Sequence, residues 1–560
     1  MENACIIVSL VYMVLACILT WAKSSVSLIR KLIRFLLPLA ALTYLVHPAL
    51  NLHAIGTWLF VIGFICYGVL LFSDKPFEET PNKKRTAKNS TIKVVNPKPL
   101  YIIAWILGVC AGLHLIAGII YSPLLQSQKY ARRIEVSEAA FSEIPAFRFQ
   151  ETAIIDRSSA ELLGDKVMGQ MTDLVSQFSV SDEYSQISYK SGTCRVTPLA
   201  YDGVIKYFRN KSEGIPGYIV VNTTTGKTEL VRLADKMHYV PSAYFNDNLY
   251  RRLRMAYPSA IFGNPTFEID DEGNPWYVCT TYTWAGIRSM KQVNGVILFD
   301  PCTGTSQRYN LDEIPSWVDR VYPESLVTQE LDDYGKYRNG WLNSWMTQEG
   351  VIQTSPGYNY ISKNGDIWLY TGMTSASSDE SNVGFMLVNL RTHEAQYTAT
   401  SGASEYAVMD SAEGEVLNYG YTATFPTLIN LEGKPVYLLS LKDSAGLVKM
   451  YAMVDARDYQ RVYTVKAGNS SEQAIASLIK QMGGTSVSIE GEKETFEIKE
   501  IRTAVIEGNT VMYFQSDTDT YVLTLTQENA AKALFLTEGD TVTCLVAEAE
   551  DGTKTILDLE

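Results

Sequence analysis

Residue types able to do chemistry are sparse after position 122. Residues 123–560 contain two histidines, His238 and His393, four cysteines, Cys194, Cys279, Cys302 and Cys544, and 57 Asp and Glu against 37 Lys and Arg. Nucleophilic catalysis needs a Ser or Cys held beside a base, and no G-x-S-x-G elbow occurs. Neither histidine lies four residues from another, so the helical zinc spacing is missing as well. Asp270, Asp271, Glu272 and Asp300 invite a calcium reading, which requires oxygen ligands at alternating positions over ~12 residues with Gly at the sixth. That register is absent, and carboxylates beside Gly273 and Asn274 are what a hairpin turn uses. The sequence therefore offers no catalytic residue, no cofactor-binding residue and no metal ligand, and no cofactor is expected. Two carboxylates acting on a glycosidic bond stay open as an alternative, because so many acidic pairs exist.

Two other groups of residues carry recognisable chemistry. Trp341 and Trp345 sit four apart, on one face of an expected helix. Such a pair stacks on sugar rings or a partner peptide, or forms the core stripe of a helix covering a sheet. Cys279 and Cys302 would lie on one hairpin; end-to-end pairing sets Cys279 opposite Val296 and leaves Cys302 about six residues, ~20 Å, further along. Buried thiols acting as small hydrophobes are expected there rather than a bridge.

The elements that must position these groups divide at residue 122. Apolar segments at roughly 4–22, 34–50, 55–72 and 100–122 approach the ~20 residues needed to cross a hydrocarbon core. They hold no Asp or Glu, and His114 is the only readily charged group well inside one, which argues against transport. The first is not read as a secretory signal, because its leading residues carry no positive charge. The connectors after the first and third segments hold Lys23, Arg30, Lys31 and Arg34, and then seven basic residues including Lys83, Lys84 and Arg85. Basic residues are retained on the cytoplasmic side. Residues 1–122 are thus expected to form a multi-pass anchor in the cell membrane, with the N-terminus and everything after residue 122 extracytoplasmic. The net charge of −20 on residues 123–560 disfavours nucleic acid as a partner.

After a juxtamembrane linker at 123–157, residues 158–465 carry a loose repeat: a helix, a strand, a tight turn, an apolar strand and its hairpin partner. Helices are expected near Ala160–Phe178, Asn248–Tyr257, Asp332–Met346 and Ser404–Leu417. The second copy is the clearest, with Thr266–Ile269, a turn over 270–275, Trp276–Cys279 and Val296–Phe299. In the first copy Gly203–Phe208 takes the place of a strand. The run from Tyr257-Pro258 through Phe267–Val278 to Val296–Gly304 resembles PepSY modules, the helix-plus-antiparallel-sheet units of peptidase propeptides and spore-germination proteins. The resemblance implies an α+β soluble region of tandem modules that bind or inhibit rather than catalyse.

From 466 to 560 a helix at Ser470–Met482 precedes five short strands with Gly-containing turns, expected to form a small β-barrel of the OB or SH3 type. The function expected from all this is a membrane-anchored extracytoplasmic binding or assembly factor contacting an envelope protein or wall polymer. A PepSY-type regulator of an envelope protease and a wall-polymer carbohydrate-binding protein or hydrolase are the alternatives.

Overall fold

The structure is a computed structural model that describes residues 28–72, 77–80, 91–94, 97–190, 192–285, 290–375, 378–468, 471–484, 492–506, 509–525, 529–548 and 553–559. Three apolar helices come first, Leu28–Val46, Ile55–Phe72 and Lys98–Ile120. The expected span at 4–22 and the Lys83-Lys84-Arg85 run lie outside the described residues. Among those described, Lys98–Ile120 alone is both long and apolar enough to cross a membrane by length and composition. At ~1.5 Å per residue its 23 residues reach about 34 Å. Leu28–Val46 carries three basic residues and Pro38, and Gly56–Phe72 falls short in length. Of the three expected spans that fall on described residues, length and composition support one.

Four antiparallel sheets follow on one plan. In each, two short strands share the edge of a long one, which pairs with a second long strand and then an outer strand. The long pairs are Gly192–Tyr201 with Ile215–Asn222, Pro275–Ala285 with Met290–Phe299, Asp366–Ser375 with Ser378–Asn389, and Lys434–Lys442 with Val448–Asp455. Val136–Glu138 adds a parallel strand at the outer edge of the third sheet.

This arrangement corrects the expectation of tandem PepSY-like α+β modules, in which each sheet would be covered by its own helix. The soluble region is mostly β, and its sheets cover one another. Alternate residues of one strand feed two different cores: Tyr277, Cys279, Ile297 and Phe299 face the first sheet, while Val278, Val296 and Leu298 face the third. Ile367 and Leu369 meet the second sheet, and Trp368 and Tyr370 meet the fourth. Strands that read as unbroken apolar runs are buried on both sides, and neighbouring sheets supply that cover here. At the ends helices finish the work. Arg157–Gln170 covers sheet one, and Ser471–Gln481 covers sheet four together with Phe149 and Ile154. Residues 147–158 join those two ends: the amides of Ile154 and Ile155 donate to the Thr223 carbonyl, and Lys442 pairs with Asp156 at 2.8 Å. The result is a propeller-like circle of four sheets.

Smaller differences share the same cause. Gly203–Phe208, read as a strand, belongs to the helix Val204–Asn210, which begins after Gly203 at φ +94° and buries Tyr207. Asp332–Met346, read as one helix, is two, Glu324–Tyr337 and Trp341–Trp345, separated at Gly340 with φ +89°. Cys279 pairs with Ile297 rather than Val296, and both Cys279 and Cys302 are free thiols. The C-terminal strands form a six-stranded sheet, not a five-stranded OB or SH3 barrel. Its edge strands Glu492–Glu497 and Glu500–Ile506 are consecutive in the chain, so the sheet curls without closing.

Gly335 shows how tightly these layers meet: a Cβ built there would lie 2.1 Å from the Ile352 carbonyl oxygen of the adjoining strand. Gly335→Ala should therefore destabilise the protein by about 1–3 kcal/mol despite alanine's better helix propensity. Gly414→Ala, with nothing within 4 Å, should be neutral or stabilising by up to about 1 kcal/mol. Thermal unfolding of the two variants in detergent micelles checks both signs.

Candidate functional site

The second short strands of the first three sheets, Ser185–Tyr189, Thr266–Ile269 and Asn359–Lys363, meet at a polar centre that sequence patterning did not single out. Glu268 stands in the apolar strand Thr266–Ile269 and is fully buried; its Oε2 accepts the Asp319 amide at 2.9 Å. The Asp319 carboxylate, also buried, accepts the Ser188 amide at 2.6 Å, tying sheet one to sheet two. Beside them Arg320 forms an ion pair with Glu324, and Glu324 Oε1 accepts the Tyr360 hydroxyl at 2.7 Å from sheet three. Arg195 of sheet one, 6% exposed, lies with its guanidinium 5.9 Å from the Tyr360 ring centroid. Gln186 is its cross-strand neighbour, so the two side chains share one face. Arg195 Nε and both amide atoms of Gln186 are buried without a protein hydrogen-bond partner.

Burial dominates the electrostatics. It lifts the Glu268 carboxyl from the ordinary 4.5 to about 7, against the opposing pull of the Asp319 amide and Arg320. It also pushes Asp319 well up, reinforced by Glu268 beside it, and lowers Arg195. Two neighbouring carboxyls with raised values are the kind of pair that acid–base chemistry employs. Two cavities of about 30 and 10 Å³ border the neighbouring strand Asn359–Lys363, and neither is lined by Glu268, Asp319 or Arg195. In this conformation the cluster is a polar core whose unpartnered atoms suit ordered water.

The residues singled out by sequence are dispersed. Trp341 packs against the cluster of Tyr130, Met290 and Tyr337, while Trp345, 70% exposed, stacks on it at 6.2 Å and 17°. The pair is thus half core and half surface. Asp270 closes a hairpin turn: its carboxylate accepts the amides of Glu272 and Asn274 and the indole N–H of Trp276. Asp300 does the same for Cys302 and Thr303. His393 stacks on Tyr322 and bonds Glu330 at 2.8 Å, while His238 contacts the Lys211 carbonyl and the Tyr239 ring. Among the described residues no group of three His, Cys, Asp or Glu is placed to hold a metal ion. The signal for the centre was present in sequence, as a lone Glu within Thr-Phe-Glu-Ile and a lone Arg within Thr-Cys-Arg-Val-Thr, since a charge amid apolar strand residues is seldom buried without purpose.

Comparison with known proteins adds little. No protein-family model matches the sequence, and no characterised protein matches it. Among solved structures, a GH43_1 enzyme from Xanthomonas citri is similar at 12% identity, covering 70% of this chain and 96% of that one, with a TM-score of 0.17. An exo-β-1,3-galactanase from Phanerochaete chrysosporium is similar at 8% identity over 68% of this chain and 66% of that one, with a TM-score of 0.16. Likenesses at these scores carry neither fold nor chemistry to this chain.

The raised Glu268 value has a consequence for stability. Between pH 4.5 and 7 the unfolded chain releases this proton while the folded chain keeps it, so stability falls as pH rises through that window and the loss is complete above it. Asp319 acts in the same direction. Glu268→Gln should reduce the drop in melting temperature between pH 4.5 and pH 8, measured against the unsubstituted protein.

Proposed function

We propose that the chain is a membrane-tethered extracytoplasmic binding or assembly factor, holding its circle of sheets at the membrane surface to contact an envelope protein or polymer. One observation carries the reading: the segment that follows the apolar helix Lys98–Ile120 is packed into the sheet body. After two intervening residues the helix Pro123–Ala131 begins, and Arg133 just beyond is buried against the Glu324–Tyr337 helix. Its guanidinium pairs with Asp333 at 2.7 Å and Glu330 at 3.1 Å and donates to the Lys291 carbonyl at 2.9 Å. Removing one member of such a buried set costs about 3–5 kcal/mol, so the junction acts as a fixed mount rather than a flexible leash. Multi-pass anchoring belongs to the same proposal, because the ends of Leu28–Val46 and Ile55–Phe72 also abut the body. The protease-regulator alternative depended on a module fold that these sheets do not form.

A tag at Glu560 should be removed by protease added to intact cells, and crosslinking followed by pull-down should recover an envelope component. A tag that stays shielded in sealed cells places the body on the other side and ends this reading.

A carbohydrate-binding role is the second reading, favoured by a stacked aromatic pair of which one ring is exposed and the other half-buried. Tyr419, 59% exposed, stacks with Tyr421 at 5.3 Å and 16°. Parallel phenol rings on a surface suit the apolar faces of sugar rings. Tyr419→Ala should weaken retention on isolated wall polysaccharide by roughly two- to tenfold, the worth of an aromatic contact of about 0.5–1.5 kcal/mol. Unchanged retention on an affinity gel removes this reading.

A further inference from the structure

We propose that the sheet body lies against the lipid surface itself, inserting two apolar patches into the interfacial zone of the bilayer crossed by Lys98–Ile120. The inference rests on the membrane-tether reading and goes beyond it, because a tether alone leaves the body free to stand away from the lipid.

The first patch adjoins the exit of the apolar helix. Pro123–Ala131 is packed against the Glu324–Tyr337 and Trp341–Trp345 helices through Tyr130, Tyr337 and Trp341. Around this junction Leu125, Leu342, Trp345 and Met346 are 61%, 59%, 70% and 64% exposed. Large side chains so exposed on a soluble surface lose the burial that normally stabilises them. Beside a membrane exit they are placed where a tryptophan with apolar neighbours is favoured, with one end dry and the other wet. Lys129 and Arg132, exposed on the same junction, suit headgroup phosphates.

The second patch forms around a separate attachment. The link between Leu28–Val46 and Ile55–Phe72 is bonded to the body: the Leu50 amide donates to the Pro258 carbonyl at 2.7 Å, and Asn51 Nδ2 donates to the Ser259 carbonyl at 2.8 Å. Tyr44 donates to Asn246 at 3.0 Å, and the Arg251 guanidinium lies 4.4 Å from its ring centroid. Nearby Phe245 and Phe208 meet with ring centroids 6.0 Å apart while remaining half exposed, and Ile205 on the same short helix is 81% exposed. Arg209 and Lys211 flank them. Both patches therefore neighbour the end of the helix group where Leu28–Val46 stops, Ile55–Phe72 starts and Lys98–Ile120 stops. Each combines apolar side chains with basic residues on a body whose overall charge is strongly negative. Continuity with the apolar helices and this local reversal of charge select lipid as the occupant.

The test places the full chain in nanodiscs whose lipids are brominated near the headgroup end of the acyl chains, and reads tryptophan quenching. Trp105, on the exposed flank of Lys98–Ile120, reports the tether, and Trp345 reports the first patch. Both Trp105→Phe and Trp345→Phe should lower the quenched share of emission, and Ile205→Trp should add emission that is mostly quenched. If Trp105→Phe leaves quenching unchanged, the tether reading itself fails. If Trp105 is quenched while Trp345 and the residue introduced at 205 are not, the tether stands and lipid docking is overturned, leaving the patches to a protein or a second copy.

Discussion

The constraint on which the rest of the molecule depends is that its long strands are apolar on both faces. Val296, Ile297, Leu298 and Phe299 are consecutive and all buried, and so are Trp368, Leu369 and Tyr370. At about 1.5–3 kcal/mol for each large side chain removed from water, exposing either face of such a strand would exceed the net stability of an ordinary domain. No single sheet can satisfy that requirement alone. Each must have a neighbour on either side, and a row of such sheets has two unsatisfied ends. Bringing those ends together, with the Arg157–Gln170 and Ser471–Gln481 helices and residues 147–158 between them, is the arrangement that leaves no apolar face uncovered.

That logic also separates what was legible in the sequence from what was not. Strands such as Trp276–Cys279 and turns such as that at Asp270 are local, set by side-chain periodicity and by Asx chemistry, and their residues announce them. Which surface covers a strand is not local. An unbroken run such as Val-Ile-Leu-Phe states that both faces are dry but not whether a helix or another sheet lies opposite, and reading a helix there produced the separate-module architecture. The strand assigned at Gly203–Phe208 failed for a related reason: Val204, Ile205 and Phe208 look like a strand's apolar content, yet they are largely exposed on a short helix that buries only Tyr207. Of the two tryptophans singled out, helical spacing was informative about the pair and silent about its surroundings, which depend on a helix some 210 residues earlier.

A circle of sheets brings the strands Ser185–Tyr189, Thr266–Ile269 and Asn359–Lys363 together, and backbone and side-chain polar groups meet there away from water. The centre resolves this by mixed means. Arg320 and Glu324 pair; Glu268 and Asp319 are driven toward the neutral form and accept amides from neighbouring segments; Arg195 rests near an aromatic ring. Burying ionisable groups in this way is weak as a source of stability, because desolvation offsets most of the attraction. Its effect is on specificity. The Ser188 amide reaches Asp319 and the Tyr360 hydroxyl reaches Glu324 in one registration of sheets one, two and three, whereas an apolar axis would tolerate sliding.

Rigidity at the axis gives meaning to rigidity at the mount. A body joined to a membrane helix by a loose linker samples all orientations, and any surface it presents is available only part of the time. Here Arg133 fixes one junction in a buried ion network, and Tyr44, Leu50 and Asn51 fix another at a distant part of the body. Two attachments to one group of helices remove rotations that a single attachment leaves free, so the orientation of the body is set during folding. With the body so held, the faces turned away from both attachments keep one orientation relative to the helices.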